Sequence, residues 1–180
     1  EAMPHHWLKM RVEEALFAYG LPFTILQPAS YMQNIIVTWD SVVERGVLAA
    51  PYSIQSQSSP VDLQDVAAAA AIVLCEPGHR GATYELCGPE VLTQSEQAAI
   101  ISAEMGRTVR AEQTNLDEWT GRARANGLGE YELDTLRKMF LYYDQHGFWG
   151  NSRTLHGLLR RPPTFYSAFI KRVLRDDEQI

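Results

Sequence analysis

The chain has no surplus of basic residues. Its 16 lysines and arginines stand against 22 acids, a formal net charge of −6 with a pI near 5.4. That balance argues against direct binding to nucleic acid, whose phosphates need cations gathered on one face. Cysteine is scarce: Cys75 and Cys87 lie in apolar settings, IVLCEP and YELCGP, with no second pair. They read as buried free thiols of a reducing compartment rather than as a disulfide framework. No apolar run reaches the ~18 residues of a membrane-crossing helix, and the start lacks a basic-then-apolar secretion signal. A cytoplasmic protein with no membrane partner is expected. A leading strand is missing as well, because the chain enters a helix directly from EAMPHHW. It is expected to begin inside a larger unit.

What is present has the composition of an ordinary folded domain, with 46% hydrophobic and 21% charged residues in 180. The organising stretch is His5 to Asn34. Leu8, Val12, Ala15, Leu16 and Tyr19 recur at helical spacing, and Gly20 and Pro22 stop the run. Phe23 to Leu26 is a short apolar run bounded by Pro22 and Pro28, the pattern of a strand buried on both faces of a parallel sheet. Further on, the spacing predicts a helix over 31–45, a weak strand over 47–50 and a solvated polar loop over 53–59. It then predicts an alanine-rich helix capped by Asp62, a strand over 83–87, and a helix from Thr93 with Glu96 in a capping box. A short strand over 108–113 follows. From 116 onward the chain reads as mostly helical, broken near Gly127, Gly147 and Pro162.

Only the runs 23–26 and 83–87 look like central sheet members, and two parallel strands need further partners. Those partners would be the protein's own N-terminal half or another chain.

Candidate chemistry gathers around the first predicted strand. His5 and Lys9 are four residues apart, so both lie on one helix face and can reach one ligand. An ammonium can hydrogen-bond hydroxyls and lower the pKa of a neighbouring acid, and an imidazole can donate a proton near neutral pH. The plainer alternative is a surface lysine and a solvated or capping histidine. Gln27, Pro28, Ala29, Ser30, Tyr31, Met32 and Asn34 follow at the strand's carboxyl end, where open α/β sheets hold ligands. Alternatively, Tyr31 and Met32 are core and Asn34 is a cap. Asp62 and Asp65 sit where a helix dipole favours acids, which explains both without catalysis. His146 and His156 have no cysteine or acid at ligand spacing, so no metal site is expected. Tyr142, Tyr143, Phe148 and Trp149 are expected to be core.

A series of motifs resembles a known family. It comprises His5-x-x-x-Lys9, Arg11-Val12-Glu13, Gly20-Leu21-Pro22, Thr24-Ile25-Leu26-Gln27-Pro28, Tyr31-Met32-Gln33-Asn34, Val61-Asp62-Leu63-Gln64-Asp65-Val66-Ala67 and Tyr84-Glu85-Leu86-x-Gly88-Pro89. Their order and spacing over residues 5 to 110 resemble the C-terminal half of the NmrA-like atypical short-chain dehydrogenase/reductases. The resemblance implies an α/β fold: the C-terminal part of a Rossmann-like parallel sheet over 1–110 and a mostly helical C-terminal subdomain over 111–180. The half with the glycine-rich turn is not in this chain, since Gly127-Leu128-Gly129 follows no apolar strand.

The resemblance further implies Lys9 toward the nicotinamide ribose, cofactor contact at Gln27, Pro28, Ala29 and Ser30, and Tyr31, Met32 and Asn34 nearer a small-molecule substrate. His5 stands where the wider superfamily has a tyrosine acid. The implied activity is NAD(P)-dependent oxidoreduction of a small carbonyl, quinone or imine, with His5 and Lys9 as catalytic candidates. The alternatives are a regulator that senses NADP or NAD and acts through a protein partner, and a purely structural half. The determinant that separates NADP from NAD lies near the second strand of the fold, outside this chain.

Overall fold

A computed structural model describes residues 3–177. The first half contains α1 (Pro4–Tyr19), β1 (Ile25–Pro28), a 3-10 turn (Met32–Thr38), α2 (Trp39–Arg45), β2 (Val47–Ala50), β3 (Gln57–Ser58) and α3 (Leu63–Cys75). Then come β4 (Thr83–Leu86), β5 (Leu92–Thr93), α4 (Gln94–Met105), β6 (Arg110–Gln113), α5 (Leu116–Ala125), α6 (Glu130–His146), α7 (Arg153–Leu159) and α8 (Tyr166–Asp177). None of the helices among the described residues is long and apolar enough to cross a membrane.

The helix ends follow local chemistry. Pro4 opens α1, where its missing N–H costs nothing, and Gly20 closes it in the left-handed region. Asp62 caps α3 by accepting from the Gln64 N–H, and Thr93 with Glu96 forms the full capping box of α4.

The three strand pairs are separate. β1 runs parallel to β4, with Ile25 opposite Thr83 and Pro28 opposite Leu86. β2 runs parallel to β6, and β3 runs antiparallel to β5. β1 begins two residues later than the apolar run suggests, and neither of its faces is fully buried. One face runs from buried Ile25 to exposed Gln27, whose carboxamide reaches Glu13 of α1, and the other carries half-buried Leu26 and Pro28. Among the described strands β4 alone pairs with β1.

Two further expectations change. The 53–59 segment is not a solvated loop: Ser59 is fully buried, Ser56 donates to the Tyr143 carbonyl, and Gln57–Ser58 forms β3. Small hydroxyls let this polar run pass beneath α6, with its groups satisfied by backbone partners. Cys75 is exposed rather than buried, because α3 ends there; Cys87 is buried, and both are free.

Two apolar cores hold the elements together. One joins Met32, Ile35, Trp39 and Val42 to Leu48, Ile101, Tyr166, Phe169 and Ile170. The other joins Ala29, Val61, Ala69 and Leu86 to Leu155 and Leu158. Each core links elements from before and after residue 110, so α7 packs on α3 and β4 while α8 packs on α4. A fully buried Leu, Ile or Phe contributes roughly 1.5–3 kcal/mol. The tail thereby braces the strand ends that carry the candidate site.

Candidate functional site

Four backbone hydrogen bonds stitch the segments leaving the carboxyl ends of β1 and β4 into one rim. Ala29 N–H donates to Leu86 O at 3.0 Å, Val61 N–H to Ser30 O at 2.8 Å, Met32 N–H to Val61 O at 3.0 Å, and Gly88 N–H to Ser59 O at 3.3 Å. Such bonds turn three loops into one rigid platform at the sheet's carboxyl end, the position at which α/β folds bind ligands. Gly88 is required by this packing. A Cβ there would overlap the Pro60 carbonyl oxygen and stand 2.8 Å from its carbon.

Helix α1 meets the rim from one side. The Gln27 carboxamide donates to both Glu13 carboxylate oxygens, at 2.9 and 3.2 Å. Glu13, Lys9 and His5 are spaced by four and share one helix face. α1 runs opposite to β1, so stepping back from Glu13 to Lys9 and His5 moves toward Pro28 and the rim. The His5 ring lies 4.2 Å from that of His6, and His6 meets Phe148 edge-on at 6.2 Å. Phe148 stacks on Tyr143 at 5.0 Å. The start of α1 and the connection after α6 therefore flank one corner.

Electrostatics at this corner favour neutral imidazoles. Burial and the Lys9 ammonium hold His5 below its ordinary value, and burial, His5 and Lys9 do the same to His6. The Nδ1 atom of His5 is buried without a hydrogen-bond partner. A histidine with a lowered folded-state pKa contributes stability above its unfolded value and loses it as pH falls below about 6.5. Melting temperature should therefore drop between roughly pH 7 and 5, and His5→Gln with His6→Gln should flatten that slope. An unchanged slope in the double variant would contradict the burial described here.

The residues singled out from the sequence fall into three settings. Lys9 on α1 is exposed, as are Gln27, Tyr31 and Asn34 at the rim, with Tyr31 37% exposed. Ala29 and Ser30 are buried or half-buried, with the Ser30 carbonyl bonded to Val61. Met32 is 2% exposed and lies within a core, and the Asn34 N–H donates to the Tyr31 carbonyl.

Asp62 caps α3 and Asp65 lies in its first turn, as expected, and both are buried. Each carries a guanidinium partner that the sequence did not disclose. Asp62 pairs with Arg172 and Asp65 with Arg161, at 2.7 and 2.6 Å. Among the aromatic group, Tyr142, Tyr143 and Phe148 are half-buried, but Trp149 is 60% exposed and is not core. It follows Gly147 and Phe148 in a connection that turns outward before α7. Cys87 lies behind the rim, its thiol pushed up to about 12 by burial and the neighbouring Glu85. It is no nucleophile at neutral pH.

A parallel strand pair, flanking helices and a polar platform at the strands' carboxyl ends define the class. The chain has the fold of the C-terminal part of an NmrA-like atypical short-chain dehydrogenase/reductase, of NAD(P)-binding Rossmann type. More particularly, it is similar to the NAD(P)H azoreductase of Xenophilus azovorans, 28% identical over 152 residues that are 84% of this chain and 53% of that protein. It also superposes on the NADPH-dependent quinone oxidoreductase QOR2 from Escherichia coli, solved in complex with NADPH, with a TM-score of 0.80 and 25% identity over 92% of this chain and 58% of that one. NmrA, a negative transcriptional regulator, shares the fold with a TM-score of 0.71 and 15% identity, over 95% of this chain and 58% of its own. No protein-family model matches the chain. The chain spans about half the length of the curated relatives it matches.

Proposed function

We propose that this chain supplies the nicotinamide and acceptor side of an NAD(P)H-dependent oxidoreductase acting on small quinone, carbonyl or imine acceptors. The observation that carries the proposal is the Gln27–Glu13 bond, which ties the α1 face bearing Glu13, Lys9 and His5 to the carboxyl end of β1. The similarity to an NAD(P)H azoreductase and a quinone oxidoreductase supports it.

The rim suits the nicotinamide end of a dinucleotide. Lys9 is an exposed cation at its edge, and the buried Nδ1 of His5 lacks a partner. Among the described residues, no glycine-rich turn joins a strand to a helix N-terminus, so phosphate binding falls to a part of the protein beyond this chain. In this reading 1–110 is the C-terminal half of a dinucleotide-binding domain, completed by its N-terminal half or by another chain, and 111–180 is a mostly helical C-terminal subdomain. Uncovered apolar side chains on α1, with Val12 and Phe17 each 61% exposed, support such a neighbour. A cytoplasmic location belongs to the same proposal, supported by the free thiols.

Bound NADPH or NADH supplies the hydride. In this reading Lys9 would hold a ribose hydroxyl of the dinucleotide, the backbone at Pro28, Ala29 and Ser30 would face its nicotinamide end, and the Tyr31 hydroxyl and Asn34 amide would orient the acceptor. His5, neutral at pH 7, donates an N–H hydrogen bond rather than a full proton, so acceptors that need little acid assistance, such as quinones, are favoured.

The resemblance supports a second reading: His5 stands where the wider superfamily has a tyrosine acid, which suits a dinucleotide sensor that signals to a protein partner without turnover.

The test is NADPH oxidation across a panel of quinones. A charge-assisted hydrogen bond contributes about 1.5–3 kcal/mol, so Lys9→Ala should lower kcat/KM about 10- to 100-fold. Stabilisation by NADPH with no turnover on any acceptor would favour the sensor.

A further inference from the structure

Gln33 lies between two acceptor-side candidates, Tyr31 and Asn34, and its side chain turns away from the rim. The carboxamide Nε2 donates to Asp62 Oδ1 at 2.7 Å, and Oε1 accepts from the Leu63 N–H at 3.2 Å. The amide orientation follows from chemistry, since an ionised carboxylate only accepts and a backbone N–H only donates. Asp62 is fully buried. Its Oδ1 also accepts from the Gln64 N–H at 3.1 Å, while Oδ2 accepts from Arg172 at 2.7 Å.

The other arm of Arg172 donates to Gln64 Oε1 at 3.0 Å, and its guanidinium lies 5.3 Å from the centre of the Phe169 ring. Every oxygen of Asp62 is engaged. Helix α8, 110 residues away from Asp62 in sequence, thus reaches the segment beside the rim through the Asp62 carboxylate, in addition to packing Phe169 and Ile170 in the core that holds Met32.

We propose that Gln33, Asp62 and Arg172 form a positioning relay, through which helix α8 fixes the 30–34 loop and sets the acceptor side of the site. The proposal rests on the oxidoreductase reading only for the word acceptor; the mechanical coupling stands independently of it. Two features make the relay directional. The backbone bonds Val61 N–H to Ser30 O and Met32 N–H to Val61 O bracket Tyr31, so a shift of Gln33 must move Tyr31 against residues adjoining Asp62. Arg172 bridges two different acceptors at the start of α3, which the rigid planar fork of a guanidinium holds in fixed geometry and a freely rotating ammonium does not.

The test pairs amide exchange with kinetics, both measured on the protein together with whatever completes its sheet. Gln33→Ala and Arg172→Ala should speed exchange over residues 29–36 about tenfold or more, and Arg172→Lys should fall between them and wild type. Lys171→Ala, which removes a charge from α8 that pairs instead with Glu104, should match wild type. Gln33→Ala leaves Asp62 paired with Arg172, so it decides the matter even where Arg172→Ala fails to fold. With a quinone and NADPH, the acceptor KM of Gln33→Ala should rise about fivefold to tenfold while the NADPH KM stays within about twofold.

Exchange equal to wild type in Gln33→Ala overturns the relay. Faster exchange with equal rises in both KM values overturns its assignment to the acceptor side. A wild-type protein inert toward every acceptor removes the oxidoreductase reading instead, and the exchange rates alone then decide the relay.

Discussion

Gly88→Ala is expected to cost about 3 kcal/mol of stability, near the upper end of what overpacking a tight site does. The added methyl group meets the backbone carbonyl of Pro60, not the tip of a side chain that could swing away. Relief requires the 59–61 segment to move. That segment holds Ser59, whose carbonyl accepts from Gly88, and Val61, which bonds to Ser30 and Met32. The rim should therefore loosen along with the fold. Gly121→Ala is the matched control: nothing lies within 4 Å of its added Cβ, and it sits inside α5. There, alanine should gain up to about 1 kcal/mol from helix propensity. Urea denaturation of both variants checks the pair, and equal midpoints would contradict the packing at Gly88.

Phe169→Ala should be the more damaging change, at about 4 kcal/mol. The ring is 2% exposed and lies among Met32, Trp39, Val42, Ile101 and Ile170, with Tyr166 at 6.1 Å between ring centres. Truncation opens a cavity between α8 and the helices that follow the rim. It also removes the surface beneath the Arg172 guanidinium. The expected result is a large fall in denaturation midpoint with a single cooperative transition, because both cores span the two parts of the sequence. A loss below about 1 kcal/mol would show that α8 is not part of the core.

The helices and their ends were legible because their signals are local. Gly20 and Gly46 take the left-handed conformation that stops a helix, and Thr93 with Glu96 closes a capping box within four residues. The strands over 23–26 and 83–87 were legible, the first from an apolar run and the second from its alternation. Their pairing and the exposure of Gln27 were not, because both depend on which segments lie alongside.

The least legible features are long-range. Nothing near Asp62 or Asp65 names Arg172 and Arg161, which stand 110 and 96 residues away. Ser59 looked solvent-bound because serine-rich runs usually are; its burial depends on Phe148 and Gly88 reaching across to it. In the candidate site, Lys9 and the loop were visible as residue types at a strand's carboxyl end. The Gln27–Glu13 bond that orients them was not. The buried setting of Met32, beside exposed Tyr31 and Asn34, emerges only from the 3-10 turn that Met32 opens.

One assay bears most directly on the central proposal, that this chain provides the nicotinamide and acceptor side of an oxidoreductase. It is loss of NADPH absorbance with a quinone present, measured on the protein together with whatever completes its sheet. Turnover that falls about tenfold or more in Lys9→Ala, with the fold intact, is the predicted result. Absence of turnover with every acceptor, or turnover indifferent to Lys9, would contradict it.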